Sequence, residues 1–192
     1  MITEENGVFH IRTDTYSYLF KIDAYGLPEH LHFGAPVKTR DAGALSCRPG
    51  LGWGASILLD PKDTASCPDV LPLEWSGSGR GDYRESPLEL TGEPADFRYT
   101  GYKIHEGGVP MACGLPQAHD ARETLEITLS QPGAELTLFY TAFPTAIVRR
   151  TVLTNTGDKP LRLNKLMSSC VDLPGSYTMA TFNGGWIAEM RR

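Results

Sequence analysis

Apolar and polar residues alternate along most of this chain with a period of two, and that pattern narrows its fold more than any other feature. Glu123 to Leu129 sets Leu125, Ile127 and Leu129 against Thr124, Glu126 and Thr128, and after a Gln131-Pro132-Gly133-Ala134 turn the run Glu135 to Phe143 keeps the same period. A strand points successive side chains to opposite faces, so each run makes a ribbon with one apolar face, and two runs joined by a short turn predict a hairpin. Similar runs are Val8 to Arg12 and Tyr16 to Ile22, His30 to Phe33, Leu88 to Leu90, Asp96 to His105, Ala146 to Asn155, and Leu161 to Asp172. Turn-like clusters separate them, such as Thr13-Asp14-Thr15 and Thr156-Gly157-Asp158-Lys159-Pro160. Helical periodicity is nearly absent. Strands recurring at intervals of about 10 residues predict an all-β fold, a large antiparallel sandwich with few or no helices.

With 192 residues, 41% of them hydrophobic, the chain can bury one sizeable core, and a single sandwich domain over 1–192 is expected. A formal net charge of -5 gives no footprint for phosphates, so no nucleic-acid partner is expected. No run approaches the roughly 20 apolar residues of a membrane span, so no membrane partner is expected. MITEENGVFHIRTD has acidic residues where an export signal would be basic, and Asn6, Asn155, Asn164 and Asn183 all lack a glycosylation context. A cytoplasmic location follows as the expectation. Cys47, Cys67, Cys113 and Cys170 are widely spaced, with no ligand pattern, so neither a metal site nor a cofactor is expected. Free buried thiols are preferred to a Cys47–Cys67 bridge, which would close a loop around Trp53 but suits an oxidising compartment.

Lys38 to Ser66 carries turn residues throughout and reads as a long loop, a type that is usually functional or disordered. Trp53 stands in it between Gly52 and Gly54, and an indole there wants a partner surface or a place on the core. Leu71 to Leu90 gathers Glu74, Asp82, Arg84 and Glu85 beside Trp75 and Tyr83, the mixture of charges and rings that a sugar site uses and that a solvated turn with an internal ion pair also contains. Its Arg80-Gly81-Asp82 tripeptide is common by chance.

His105 with Glu106, or His119, supplies the residue types of a sugar mutarotase's acid and base, but neighbours in a strand point apart, which favours solvated strand-end residues. Arg149 and Arg150 interrupt an apolar strand, so one faces each way, and at least one is expected to tuck against the sandwich and pair with a carboxylate. Glycoside hydrolysis usually needs two carboxylates flanking the scissile bond, and no second carboxylate is placed opposite Asp82 or Glu85. No catalytic residue is therefore assigned to this chain. In GGWIAEMRR, Trp186 and Ile187 read as the start of a helix or a last strand, as though the segment continued into something longer.

Taken in order, LPLEWSGSGRGDYRESPLEL, DFRYTGYKIHEGG, GLPQAHDARETLEITL, ELTLFYTAF, IVRRTVLTNTGDKPLRL, SSCVDLP and GGWIAEMRR resemble the N-terminal β-supersandwich domain of glycoside hydrolase family 36 α-galactosidases. The resemblance runs from about Leu71 to Arg192; from Met1 to Val70 it rests on the strand pattern and HLHFGAPV. It implies a galactose-mutarotase-like supersandwich in a parent enzyme that removes α-linked terminal galactose, as in melibiose or raffinose, with retention. The catalytic aspartates would lie on a (β/α)8 barrel outside this chain, and the domain alone would be inactive.

The resemblance further implies a homo-oligomer, a tetramer in some members, in which a loop of this domain lines a neighbouring subunit's site. That loop would fall within Arg48 to Ser66, where GLGWGASILLDPKD departs from better-known members. Trp53, Asp60 and Asp63 are the expected sugar contacts, a ring and carboxylates being what a saccharide touches. Asp82 and Arg84 match the family's Asp-aromatic-Arg signature and are expected to fix the turn by an ion pair or to make a subunit contact. The rival readings are a free-standing carbohydrate-binding module and a mutarotase-like enzyme using His105 or His119.

Overall fold

A computed structural model describes residues 1–46, 57–79, 81–111, 114, 117–171 and 175–190. Its first sheet is an antiparallel meander of β1 (Ile2–Glu5), β2 (Val8–Arg12), β3 (Ser17–Ile22) and β4 (Pro28–Gly34) in that order. A second meander joins β6 (Arg98–Glu106), β7 (Glu123–Gln131), β8 (Ala134–Ala142) and β9 (Ile147–Asn155). A short ribbon pairs β5 (Leu88–Leu90) with β10 (Leu163–Leu166). Helix among the described residues amounts to one 3-10 turn, Thr39–Asp41, and α1 (Ala42–Leu45). The all-β, antiparallel sandwich expected from the alternation is the fold found.

The period-two pattern becomes packing in a direct way. Phe9 and Ile11 of β2 and Tyr18 and Phe20 of β3 share one core with Leu125, Ile127 and Leu129 of β7 and Leu136, Leu138 and Tyr140 of β8. Phe9 and Phe20, paired across strands, stack with ring centroids 5.0 Å apart, and Phe20 stacks in turn on Tyr140 of the other sheet at 5.2 Å. Each such side chain, fully buried, contributes about 1.5–3 kcal/mol.

The opposite face of the first sheet is covered by the segment after β4. Leu19 and Leu31 pack with Ala42, Val37 and Leu45 there. His10 faces the Thr39 hydroxyl at 2.9 Å, and Lys21 donates to Ser46 Oγ at 2.8 Å while lying 3.5 Å from the buried Glu29 carboxylate. The loop predicted from Lys38 onward thus begins with a short helix. Among the described residues of the strand predicted for Leu161 to Asp172, only Leu163–Leu166 form one, and Trp186 and Ile187 sit in turns rather than in a helix or strand.

Candidate functional site

The chemistry of this molecule concentrates around Glu74, and local backbone geometry puts it there. Leu71 to Trp75 runs beside β4: His30 N–H donates to the Pro72 carbonyl at 2.6 Å and Glu74 N–H to the Pro28 carbonyl at 2.9 Å. That pairing drops the Glu74 carboxylate between the two sheets, where it is wholly buried. Tyr18 OH donates to it at 2.7 Å and Tyr140 OH at 2.8 Å, His30 Nδ1 lies 2.7 Å from Oε1, and Arg149 Nη1 lies 3.2 Å from Oε2.

Arg149 reaches in from β9. Its guanidinium lies 4.7 Å from the Tyr140 ring centre and donates to the Glu74 carbonyl and to the oxygens of Tyr18 and Tyr140. Burial alone would push the Glu74 carboxyl up, but the Arg149 charge and the donors from His30 and Tyr18 more than offset it and leave it below its ordinary value. Burial pushes both tyrosines well above theirs, and the Glu74 charge adds to it. The five groups form one mutually bonded cluster around the Glu74–Arg149 ion pair, with its oxygens taken by protein, an arrangement suited to holding sheets together rather than to meeting a ligand.

This cluster was only partly visible in the sequence. Arg149 is the tucked arginine that the apolar strand pointed to, while Arg150 faces out, 4.1 Å over the Phe139 ring, and donates to the Val109 and Pro110 carbonyls. The roles of Tyr18, His30 and Tyr140 had no local signal. Trp75 is buried in the core at 3% exposure and presents no face to a sugar.

Beyond Glu74 the chain turns sharply. Arg84 Nε and Nη2 donate to the two Asp82 oxygens at 3.0 and 2.9 Å, and Nη2 also reaches the Pro68 carbonyl. Gly81 has φ +82, and a Cβ there would stand 2.7 Å from Ile57, so the turn requires glycine at this point. Tyr83 is held at the tip, 73% exposed. Arg80 lies outside the described residues.

Asp60 and Asp63 share one turn. Asp60 Oδ1 accepts from Lys62 N–H at 2.8 Å, while Asp63 accepts from Ala65 N–H and from Tyr25 OH, each at 2.9 Å. Hydrogen bonds from Ser66, Ala65 and Tyr25 hold the Asp63 carboxyl below its usual range, and the bond to Asp63 pushes the Tyr25 phenol up to about 12. Trp53, the third expected sugar contact, lies outside the described residues.

His105 pairs not with Glu106 beside it but with Glu126 on the neighbouring strand, Nε2 to Oε2 2.7 Å, on the outer face of the second sheet. His119 is exposed in the loop between β6 and β7. Among the described residues no group of three His, Cys, Asp or Glu could hold a metal, and no helix is long and apolar enough to cross a membrane. Cys67 is buried and free, and the half-buried Cys170 directs its Sγ to the Glu85 carbonyl at 3.6 Å; Cys47 and Cys113 lie outside the described residues.

Comparison with known proteins places this architecture. The model of the glycosyl hydrolase family 36 N-terminal domain matches residues 26–192. Among curated relatives, the α-galactosidase AgaA of Geobacillus stearothermophilus is 31% identical over 94% of this chain and 26% of its own length. The α-galactosidase Mel36A of Lactobacillus acidophilus is 30% identical over 98% of this chain and 27% of its own. The crystal structure of the α-galactosidase AgaB of G. stearothermophilus superposes with a TM-score of 0.79 at 29% identity, covering 91% of this chain and 25% of that one. A variant of AgaA solved in complex with raffinose gives 0.77 at 31% identity, over 87% and 24%. The chain thus spans about a quarter of the length of the relatives it matches. In sequence and in backbone alike, the chain belongs to the N-terminal domain of glycosyl hydrolase family 36.

Proposed function

We propose that these residues serve as the N-terminal domain of an α-galactosidase that removes terminal α-linked galactose from raffinose- or melibiose-type saccharides. The observation that carries this reading is the agreement, over nine-tenths of the chain, with enzymes of that name, one of them solved with raffinose and another variant with stachyose. The saturation of the Glu74 cluster by protein groups supports placing the catalytic carboxylates elsewhere in the protein. In this role the domain supplies oligomer contacts, with the rigid Asp82–Arg84 turn as one of them, and the loop bearing Trp53, Asp60 and Asp63 borders the sugar site of a neighbouring subunit. The protein works without a cofactor in the cytoplasm, a location in keeping with the free thiol of Cys67. The test is hydrolysis of raffinose and of a chromogenic α-galactoside by the full-length protein and by residues 1–192 alone. The full-length protein is expected to cleave both and the excised chain neither; an inactive full-length protein, or an active fragment, sinks the reading.

The pairing of His105 with Glu126 favours one alternative, a mutarotase-like proton transfer between ring oxygen and anomeric hydroxyl. Polarimetry of freshly dissolved α-galactose separates the two, because only this alternative predicts faster anomerisation that His105→Ala abolishes.

A further inference from the structure

Two of the four asparagines, Asn6 and Asn183, are followed by glycine, the pair in which a backbone amide attacks the preceding side-chain amide most readily, because glycine puts no side chain in the way. Asn6 and Gly7 are the whole loop between β1 and β2. The Glu5–Val8 pair closes it, and both residues have positive φ, 53 and 79, as a two-residue hairpin turn of this kind demands. Asn6 is exposed, whereas Gly7 is half-buried and bonded at both of its backbone groups. Its N–H donates to Glu4 Oε1 at 2.7 Å, and its carbonyl accepts from Ile22 N–H at 2.9 Å. The other Glu4 oxygen accepts from Tyr102 OH at 3.2 Å, which steadies the carboxylate from the second sheet. The nitrogen that would attack Asn6 is therefore clamped, and an anion holds its proton.

We propose that Asn6 is a deamidation site built into this domain, and that the Glu4 carboxylate is the latch that sets its rate. Ring closure requires the Gly7 nitrogen to lose its proton to a solvent base and to bond to Asn6 Cγ. The bond from Cγ to the side-chain nitrogen then breaks, ammonia leaves with a proton from water, and water opens the cyclic imide at one of its two carbonyls. The product is aspartate at position 6, or its isomer in which the backbone runs through the side-chain carboxyl. Glu4 opposes the first step in two ways: its hydrogen bond stabilises the protonated amide, and its negative charge disfavours the amide anion. The isomer is the product that matters to the fold. It lengthens a two-residue loop by a methylene group, and a turn of the wrong length cannot keep the register that pairs Ile2 with Ile11 and seats Ile2 in the core. Loss of this amide thus loosens β1 as the protein ages.

The test is peptide mapping by mass spectrometry, with the isomer resolved by chromatography, of full-length protein aged at mildly alkaline pH both folded and in urea. Asn6 should convert about tenfold or more slowly in the folded protein than in urea, the factor that a hydrogen bond to a charged group supplies. Glu4→Ala should restore most of that factor to the folded protein. Glu4→Gln keeps an oxygen for the Gly7 N–H but drops the charge, and its rate should fall between the two. Amide exchange across β1 and β2 should stay unchanged in Glu4→Gln, which separates the latch from simple fraying of the hairpin. Folded wild-type protein that loses Asn6 at the urea rate overturns the proposal, and so do equal rates in wild type and both variants. Acceleration seen only where amide exchange in β1 and β2 speeds by the same factor overturns it as well, because opening of the hairpin then sets the rate. None of these readouts uses galactoside hydrolysis, so an inactive enzyme would defeat the functional reading and leave this one standing.

Discussion

His10 is wholly buried with both ring nitrogens engaged, Nε2 2.9 Å from Ser17 Oγ and Nδ1 2.9 Å from Thr39 Oγ1. Arg12 Nε donates to Nδ1 at 3.2 Å, so that nitrogen is an acceptor and the ring is neutral. Burial foremost, then the charge of Arg12, lowers its pKa to about 4. The unfolded chain takes up a proton near 6.5, so it binds more protons than the folded state between these values, and stability falls as the pH drops through that window. By pH 5 the loss should reach about 2 kcal/mol relative to pH 8. Urea unfolding at the two pH values measures it, and His10→Asn, which cannot titrate, should flatten the difference. A wild-type protein equally stable at both would refute the assignment. Glu74 acts in a separate window: its depressed carboxyl contributes above the ordinary value of 4.5, and that contribution is lost only as the pH falls below it.

Among the elements, the connection from Glu74 to β5 is fixed by a close approach of backbone. Ser78 and Ala95 exchange hydrogen bonds of 3.2 and 3.0 Å, and a Cβ on Gly77 would lie 2.5 Å from the Ala95 carbonyl oxygen. Gly77→Ala should therefore cost about 1–3 kcal/mol in chemical denaturation, as overpacking does. Gly43→Ala in α1, where an added Cβ meets nothing within 4 Å, should be neutral or stabilise by up to about 1 kcal/mol. Equal effects of the two changes would argue that the Gly77 contact is not real.

Elements of this kind differ in how far the sequence foretells them. The β7–β8 hairpin was legible because Leu125, Ile127 and Leu129 face one core and their neighbours do not. β1 was not, since Ile2-Thr3-Glu4-Glu5 has a single apolar residue and is held by distant groups, such as the Glu123 carboxylate that accepts from Ile2 N–H. α1 was hidden for a related reason, being a single turn stabilised by Leu19 and Leu31 rather than by its own periodicity. The Asp82–Arg84 pair could be read because its members are two residues apart. The Glu74 cluster could not, because Tyr18, His30, Tyr140 and Arg149 lie 56, 44, 66 and 75 residues away.

At the scale of the whole molecule that cluster joins the two sheets, since Tyr18 and His30 belong to the first and Tyr140 and Arg149 to the second. Removing one member of a buried ion pair leaves the other charge without its counterion, and Arg149→Met is expected to cost about 3–5 kcal/mol. Replacing both charges is usually mild, but here Glu74 also accepts from two tyrosines, so a purely apolar substitute would orphan those hydroxyls. Glu74→Gln removes the charge and keeps a carbonyl oxygen for them. The double change Glu74→Gln with Arg149→Met should accordingly recover at least half of the stability lost in Arg149→Met alone. Amide exchange adds the molecular readout: because one cluster holds both sheets, Arg149→Met should speed exchange in β3 and in β8 by the same factor. Acceleration confined to β8 and β9 would mean that the sheets open separately and that the Phe20–Tyr140 stack, rather than the ion pair, is what couples them.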